Sequence, residues 1–166
     1  MSGPPVETAV RGDLDQTACG EAQFCGGCFC SSFRADPREV REALRAVIAR
    51  FSSKITPEEA GTLELALAEV LNNVVEHGYH GLEPGPIALV LRQVGDALHC
   101  SIEDRGHAMP DTALTQRPLP AVDVAVADLA EGGWGWALIR ELTADLHYSR
   151  DGGWNSVRFR IPLKPA

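Results

Sequence analysis

The stretch TPEEAGTLELALAEVLNNVVEHGY, residues 56–79, constrains the fold of this chain more than any other. Thr56 ahead of Pro57, followed by acidic Glu58 and Glu59, is a helix start: a hydroxyl cap, a preset φ and charges that suit the positive end of the dipole. The spacing predicts a helix running to about residue 80. Leu63, Leu67, Val70, Leu71 and Val74 form one apolar stripe along it. A second one-sided helix is predicted from DPREVREALRAVIARF, where Asp36 caps, Pro37 takes the first turn, and Val40, Leu44, Val47, Ile48 and Phe51 share a face.

Strand signals supply the surface such helices can cover. CFCSSF (28–33) reads as a first strand. PIALVLRQV and ALHCSIED read as a hairpin about Gly95-Asp96, with Leu98, Cys100 and Ile102 alternating against polar positions. Residues 105–133, with Pro110, Pro118 and Pro120, are too long for a passive connection and read as a functional lid. WALIRELTADL follows as a third helix. LHYSRDGGWNSVRFRIPL closes the chain as a hairpin around Asp151-Gly152-Gly153, with Val157, Phe159 and Ile161 on one face. The expected architecture is α+β, a two-layer sandwich with helices on one face of a mixed, mainly antiparallel sheet. Its expected extent is residues 28–166, behind a flexible tail of residues 1–27 rich in Gly, Pro and small polar residues. At 166 residues the chain suits one domain.

Charge and composition narrow the partners. A net charge of −8 disfavours direct nucleic-acid binding, yet leaves room for a small phosphate ligand held by helix N-termini and glycine loops. No stretch has the roughly 20 apolar residues of a membrane helix. The first residues lack both a basic start and an apolar h-region, so the chain reads as cytoplasmic. Cys19, Cys25, Cys28 and Cys30 crowd into twelve residues, and Cys100 stands apart. The Cys25-Gly-Gly-Cys28 spacing suits half a zinc site, but only one such pair exists, and a reduced, thiol-rich tail is the expectation.

The second helix also carries a polar stripe: Glu69, Asn72, Asn73, Glu76, His77 and His80. An ordinary solvated face is built from Lys, Arg, Glu and Gln, which suit a helix better than asparagine does. This one has no cation and two asparagines. Glu69 and Asn73 lie one turn apart, so a carboxylate and an amide oxygen point the same way, as a site for a hard cation such as Mg²⁺ needs. Downstream, EDRG (103–106) ends a strand with Asp104 at a glycine turn. EGGWGWALIREL (131–142) sends Gly132, Gly133 and Gly135 straight into a helix, where backbone amides can approach an anion. A turn aspartate and a hinge are the plain alternatives, and each signal alone is weak.

In this order the motifs resemble the GHKL ATPases, and EVLNNVVEHGY, EDRG, EGGWGWALIREL and the terminal hairpin look most like the anti-sigma-factor serine kinases of bacterial partner switching. The resemblance covers about residues 28–164 and implies a Bergerat-type ATP-binding fold. It implies Glu69 as the general base and Asn73 as a ligand of Mg²⁺ bridging the phosphates of ATP. Asp104 would accept the adenine amino group, Gly106 would make room for the ring, and Gly133 and Gly135 would contact phosphates. Ser156 would lie near the adenine. The implied activity is an ATP-dependent protein-serine kinase acting on an anti-anti-sigma (STAS-type) partner while sequestering a sigma factor, with a homodimer as the implied assembly.

Two departures stand out. Ala108 occupies the second position of a glycine box that usually reads Asp-x-Gly-x-Gly, and it fits only if its φ is negative. Trp134 and Trp136 are bulkier than the usual residues of the glycine loop, and Trp136 reads as core. Ala108 therefore keeps a second hypothesis in view, a nucleotide-binding adaptor without catalysis. A third, a metalloprotein using Glu76, His77 and His80 or the cysteines, accounts for neither Asp104 nor the glycine loop.

Overall fold

In the computed structural model of the chain, residues 28–110 and 134–164 are described. The elements run β1 (Cys28–Arg34), α1 (Pro37–Phe51), α2 (Pro57–Asn73), a π-helical turn (Val74–Gly78), β2 (Pro86–Val94), β3 (Ala97–Asp104), α3 (Trp134–Leu142), β4 (Ala144–Asp151) and β5 (Trp154–Pro162). The five strands lie in the order β1-β2-β3-β5-β4, and all four described pairings are antiparallel. Short hairpins account for two of them, since neither β2–β3 nor β4–β5 has room for a crossover, while β1–β2 and β3–β5 are joined through intervening helices.

The helices start where their caps direct. The Asp36 carboxylate accepts from the Arg38 N–H at 2.8 Å. Thr56 and Glu59 form a reciprocal capping box: the Thr56 hydroxyl accepts from the Glu59 N–H at 3.2 Å, and Glu59 Oε2 accepts from the Thr56 N–H at 2.7 Å. Glu59 also ties down the far end of the domain, where its Oε1 accepts from the Lys164 N–H at 2.5 Å. The core lies between α1–α2 and the inner face of the sheet. Its fully buried members include Phe29, Val47, Phe51, Leu63, Leu67, Val70, Leu71, Ile87, Leu89, Leu91, Leu98, Ile102, Ile139 and Ile161. The alternating strand residues named from sequence all point inward, and Trp136 packs partly buried against the same cluster.

Three boundaries differ from expectation. The second helix is not α-helical to residue 80, because its last turn widens to π geometry with the Tyr79 N–H donating to Val74 O at 2.9 Å. The third helix stops at Leu142 rather than reaching Leu146. The Thr143 hydroxyl caps Ile139 O at 2.6 Å, and β4 starts at once with an irregular register and Asp145 at φ 53°. Cys28 is disulfide-bonded, so the expectation of a uniformly reduced cysteine cluster does not hold. Cys19 and Cys25 lie outside the described residues. Cys100 is buried on the inner face, and burial alone pushes its thiol far above the usual pKa, which makes it inert packing. Among the described residues no helix is long and apolar enough to cross a membrane.

The two backbone bonds it accepts hold the Glu59 carboxyl below its ordinary pKa. A depressed folded pKa gives stability that is present above the unfolded value and lost as pH falls through the folded one. Glu59→Gln is therefore expected to lose about 1 kcal/mol at neutral pH. Denaturant midpoints of variant and wild type should begin to converge as pH falls below about 4.5, the ordinary value for this group, and meet only once the depressed folded pKa is passed.

Candidate functional site

Asn73 sits at the point where α2 gives way to the π turn, and such turns recur at functional sites because they re-aim one residue without ending a helix. Glu69, one turn earlier, is half-buried, as is Asn73, whereas Asn72, Glu76, His77 and His80 are exposed. The polar stripe thus divides in two. Only its Glu69–Asn73 part faces other protein, and that protein is the first turn of α3. A methyl group on Gly135 would stand 2.9 Å from Glu69 Oε2, 3.4 Å from Asn73 Nδ2 and 3.7 Å from Asn73 Oδ1. The missing side chain of Gly135 is what lets the helix start approach both groups. Asn73 Nδ2 is buried and has no partner among the described residues. A buried amide N–H left open in this way fits an anionic acceptor such as a phosphate oxygen, and the Oδ1 of the same amide is the atom a hard cation would take.

The other end of the site is built around Asp104, which is only 3 % exposed. Its Oδ1 accepts from the Gly106 N–H and from Asn155 Nδ2, each at 2.8 Å. Oδ2 has no hydrogen bond among the described residues, so this oxygen is the one left for a ligand donor. Burial raises the Asp104 carboxyl above its ordinary pKa, and the Asn155 and Gly106 donors together with the nearby Arg150 cation oppose that rise.

The two ends are joined through the π turn. The His107 N–H donates to Gly78 O at 2.6 Å, and a methyl on Gly106 would meet that same oxygen at 2.5 Å. Gly106 is thus required by backbone-on-backbone contact with Gly78. Tyr79 finishes the junction: its hydroxyl donates to Pro86 O at 2.8 Å and accepts from the Arg105 N–H at 2.9 Å.

Ser156 does not touch Asp104. Asp104 faces Asn155 across the β3–β5 ladder, whereas Ser156 faces Glu103, and strand alternation sends those two pairs to opposite faces. Ser156 is buried, with an Oγ that has no partner among the described residues. Sequence reasoning missed Asn155, Tyr148 and Arg150. The available signal was a polar residue at an inward-facing position of β5, two before Val157. Ala108 is exposed, and among the described residues Asp145 alone of the non-glycine residues has positive φ. The glycine-box position therefore accommodates alanine without strain. Gly133 lies outside the described residues, as do residues 111–132 of the expected lid. Among the described residues no cluster of His, Cys, Asp and Glu is arranged to hold a metal by itself, so Glu76, His77 and His80 do not converge.

The sequence model for the histidine kinase-like ATPase domain matches residues 33–161, which includes every element of the site. The chain belongs to the histidine kinase-like ATPase family. Among curated relatives, it is 36 % identical over 96 residues to the serine/threonine-protein kinase BtrW of Bordetella bronchiseptica. It is 30 % identical over 97 residues to the serine-protein kinase RsbW of Oceanobacillus iheyensis. Each match takes in 58 % of this chain, and 66 % and 61 % of the respective relative, so the chain spans less than two thirds of either. Within this family frame, Gly135 approaches Glu69 and Asn73, and the loop after Asp104 rests on Gly78 at the end of the π turn that follows Asn73.

The two glycines should respond differently to alanine. In Gly106→Ala the new methyl meets an immovable carbonyl, and a loss of about 1–3 kcal/mol is expected in a denaturant titration. In Gly135→Ala it meets the far end of a flexible carboxylate, and alanine favours a helix. Stability within about 0.5 kcal/mol of wild type is expected there.

Proposed function

We propose that this chain binds Mg²⁺–ATP and transfers its terminal phosphoryl group to a serine of an anti-anti-sigma partner, and that it sequesters a sigma factor as the other half of a partner switch. The family and the serine-kinase names of both relatives support the coarse reading. The observation that carries the finer one is the approach of Gly135 to Glu69 and Asn73, which puts a carboxylate and an open amide at the start of a helix.

In this reading the base of the nucleotide lies at Asp104, whose Oδ2 accepts from the amino group. The phosphates lie toward the α3 N-terminus, where backbone N–H groups and the helix dipole favour anions. Asn73 offers its amide oxygen to the cation. Bound there, Mg²⁺ would neutralise charge on the phosphates and help align them for in-line transfer. Glu69 Oε2 takes the proton of the incoming serine hydroxyl, a role that needs position more than unusual basicity. The adaptor reading rested on Ala108, whose negative φ is the conformation an alanine adopts without strain.

Phosphotransfer from radiolabelled ATP to the cognate serine substrate tests this proposal. Glu69→Ala is expected to keep nucleotide binding and lose at least about a hundredfold in rate. Asn73→Ala should abolish the Mg²⁺ dependence of ADP binding measured by calorimetry. Transfer at the wild-type rate by Glu69→Ala removes the general-base assignment. Tight nucleotide binding by the wild type with no transfer to any candidate partner returns the adaptor.

A further inference from the structure

We infer that Arg150 and Tyr148 are positioning residues for nucleotide recognition: from β4 they lock the Asn155 amide, which in turn holds Asp104 as a charged acceptor. The inference rests on the reading of Asp104 as the carboxylate that meets the amino group of the base.

The hydrogen bonds around Asn155 fix its amide in one orientation. On one side, Arg150 Nη1 donates to Asn155 Oδ1 at 2.6 Å and the Tyr148 hydroxyl donates to it at 2.7 Å. A guanidinium has no acceptor, so the end of the amide that faces it has to be oxygen. The Tyr148 oxygen is itself occupied, accepting from the Met109 N–H at 3.0 Å. On the other side Nδ2 meets only acceptors: Asp104 Oδ1 at 2.8 Å, His107 O at 3.0 Å and Gly106 O at 3.3 Å. Donors on one flank and acceptors on the other leave a single satisfied arrangement.

The same residues fasten the segment that follows Asp104. Arg150 Nη1 also donates to Gly106 O at 2.9 Å, so residues 106–109 are held at Gly106 O, His107 O and Met109 N by three side chains of the β4–β5 hairpin. With Gly106 pinned, its N–H stays aimed at Asp104 Oδ1. Both hydrogen bonds to the carboxylate therefore fall on Oδ1, which leaves Oδ2 without a hydrogen bond among the described residues.

The charge on Asp104 depends on this arrangement. The groups facing it are Asn155 from β5, Arg150 from β4, the Gly106 N–H of its own loop, and the Tyr79 phenol that follows the π turn, while the Arg105 guanidinium lies over the Trp154 ring. Burial favours the protonated form, and Asn155, Gly106 and Arg150 favour the charged one. Removing Arg150 takes away a cation and one of the two donors that orient Asn155. Asp104 then takes up a proton at a higher pH than in the wild type.

The test is calorimetric titration of the full chain with MgADP between about pH 5.5 and about pH 7.5, for wild type, Arg150→Gln, Arg150→Lys and Tyr148→Phe. The wild type should bind with little pH dependence. Arg150→Gln should lose about tenfold in affinity at the upper pH and a further severalfold at the lower. Arg150→Lys keeps the charge and should flatten the profile again. Tyr148→Phe, a change of one oxygen, should weaken binding and speed hydrogen exchange of the Met109 amide. Loss by one constant factor at every pH in Arg150→Gln, or no loss at all, overturns the inference and leaves Arg150 as packing. Failure of the wild type to bind MgADP overturns the reading of the site itself, and this inference with it.

Discussion

The structure depends on a buried carboxylate placed where three elements meet. Asp104 ends β3, is almost wholly enclosed, and takes both of its hydrogen bonds on one oxygen. Burying such a group is costly unless its surroundings supply donors, and the chain supplies them from a glycine amide and an asparagine. Each donor has its own requirement. The Gly106 amide reaches Asp104 only if the loop crosses Gly78 at backbone contact, which excludes a side chain at position 106. Asn155 reaches it only if β5 pairs with β3 in the register that sets Asp104 opposite Asn155. One polar group thus fixes a loop crossing, a strand register and the placement of the π turn.

That π turn links the two halves of the candidate site. Its first residue follows Asn73, and its last is Gly78, the peptide on which the Asp104 loop rests. The α-helix up to Asn73 aims Glu69 and Asn73 at α3, and the widened turn after it brings the backbone around to the loop. An unbroken α-helix would turn by a different angle per residue, so Asn73 and Gly78 would not serve both neighbours at once. The two asparagines in an apolar helix then have separate explanations. Asn73 stands at the turn beside Gly135, and Asn72 is exposed on the solvent side.

Much of this was legible in the sequence because it rests on short-range physics. The Asp36-Pro37 and Thr56-Pro57 starts fixed both helices, and the alternation in ALHCSIED and VRFRI fixed which strand faces point inward. Motif order singles out Glu69, Asn73, Asp104 and Gly135; the geometry sets Gly135 against Glu69 and Asn73, and the loop after Asp104 against Gly78. What was hidden depends on long-range contact. Asn155 lies 51 residues from Asp104, and only strand register shows that it and not Ser156 shares the inward face. The Gly106–Gly78 contact is equally non-local, and nothing within EDRG signals it. The early end of α3 escaped because Thr143 and the left-handed Asp145 break a pattern that is still periodic in sequence.

The central claim is that a nucleotide bridges the Asp104 loop and the α3 start across the end of α2. Its most direct test is a ¹⁵N–¹H spectrum of the full chain titrated with a magnesium complex of a non-hydrolysable ATP analogue. The account predicts that the amides of Gly78, Gly106, His107 and Gly135 shift together along one saturable curve. Amides of the β1–β2 edge, such as Ser32 and Ala88, should stay fixed. Shifts confined to one end of the site, or none at any of the four glycine and histidine amides, would contradict it.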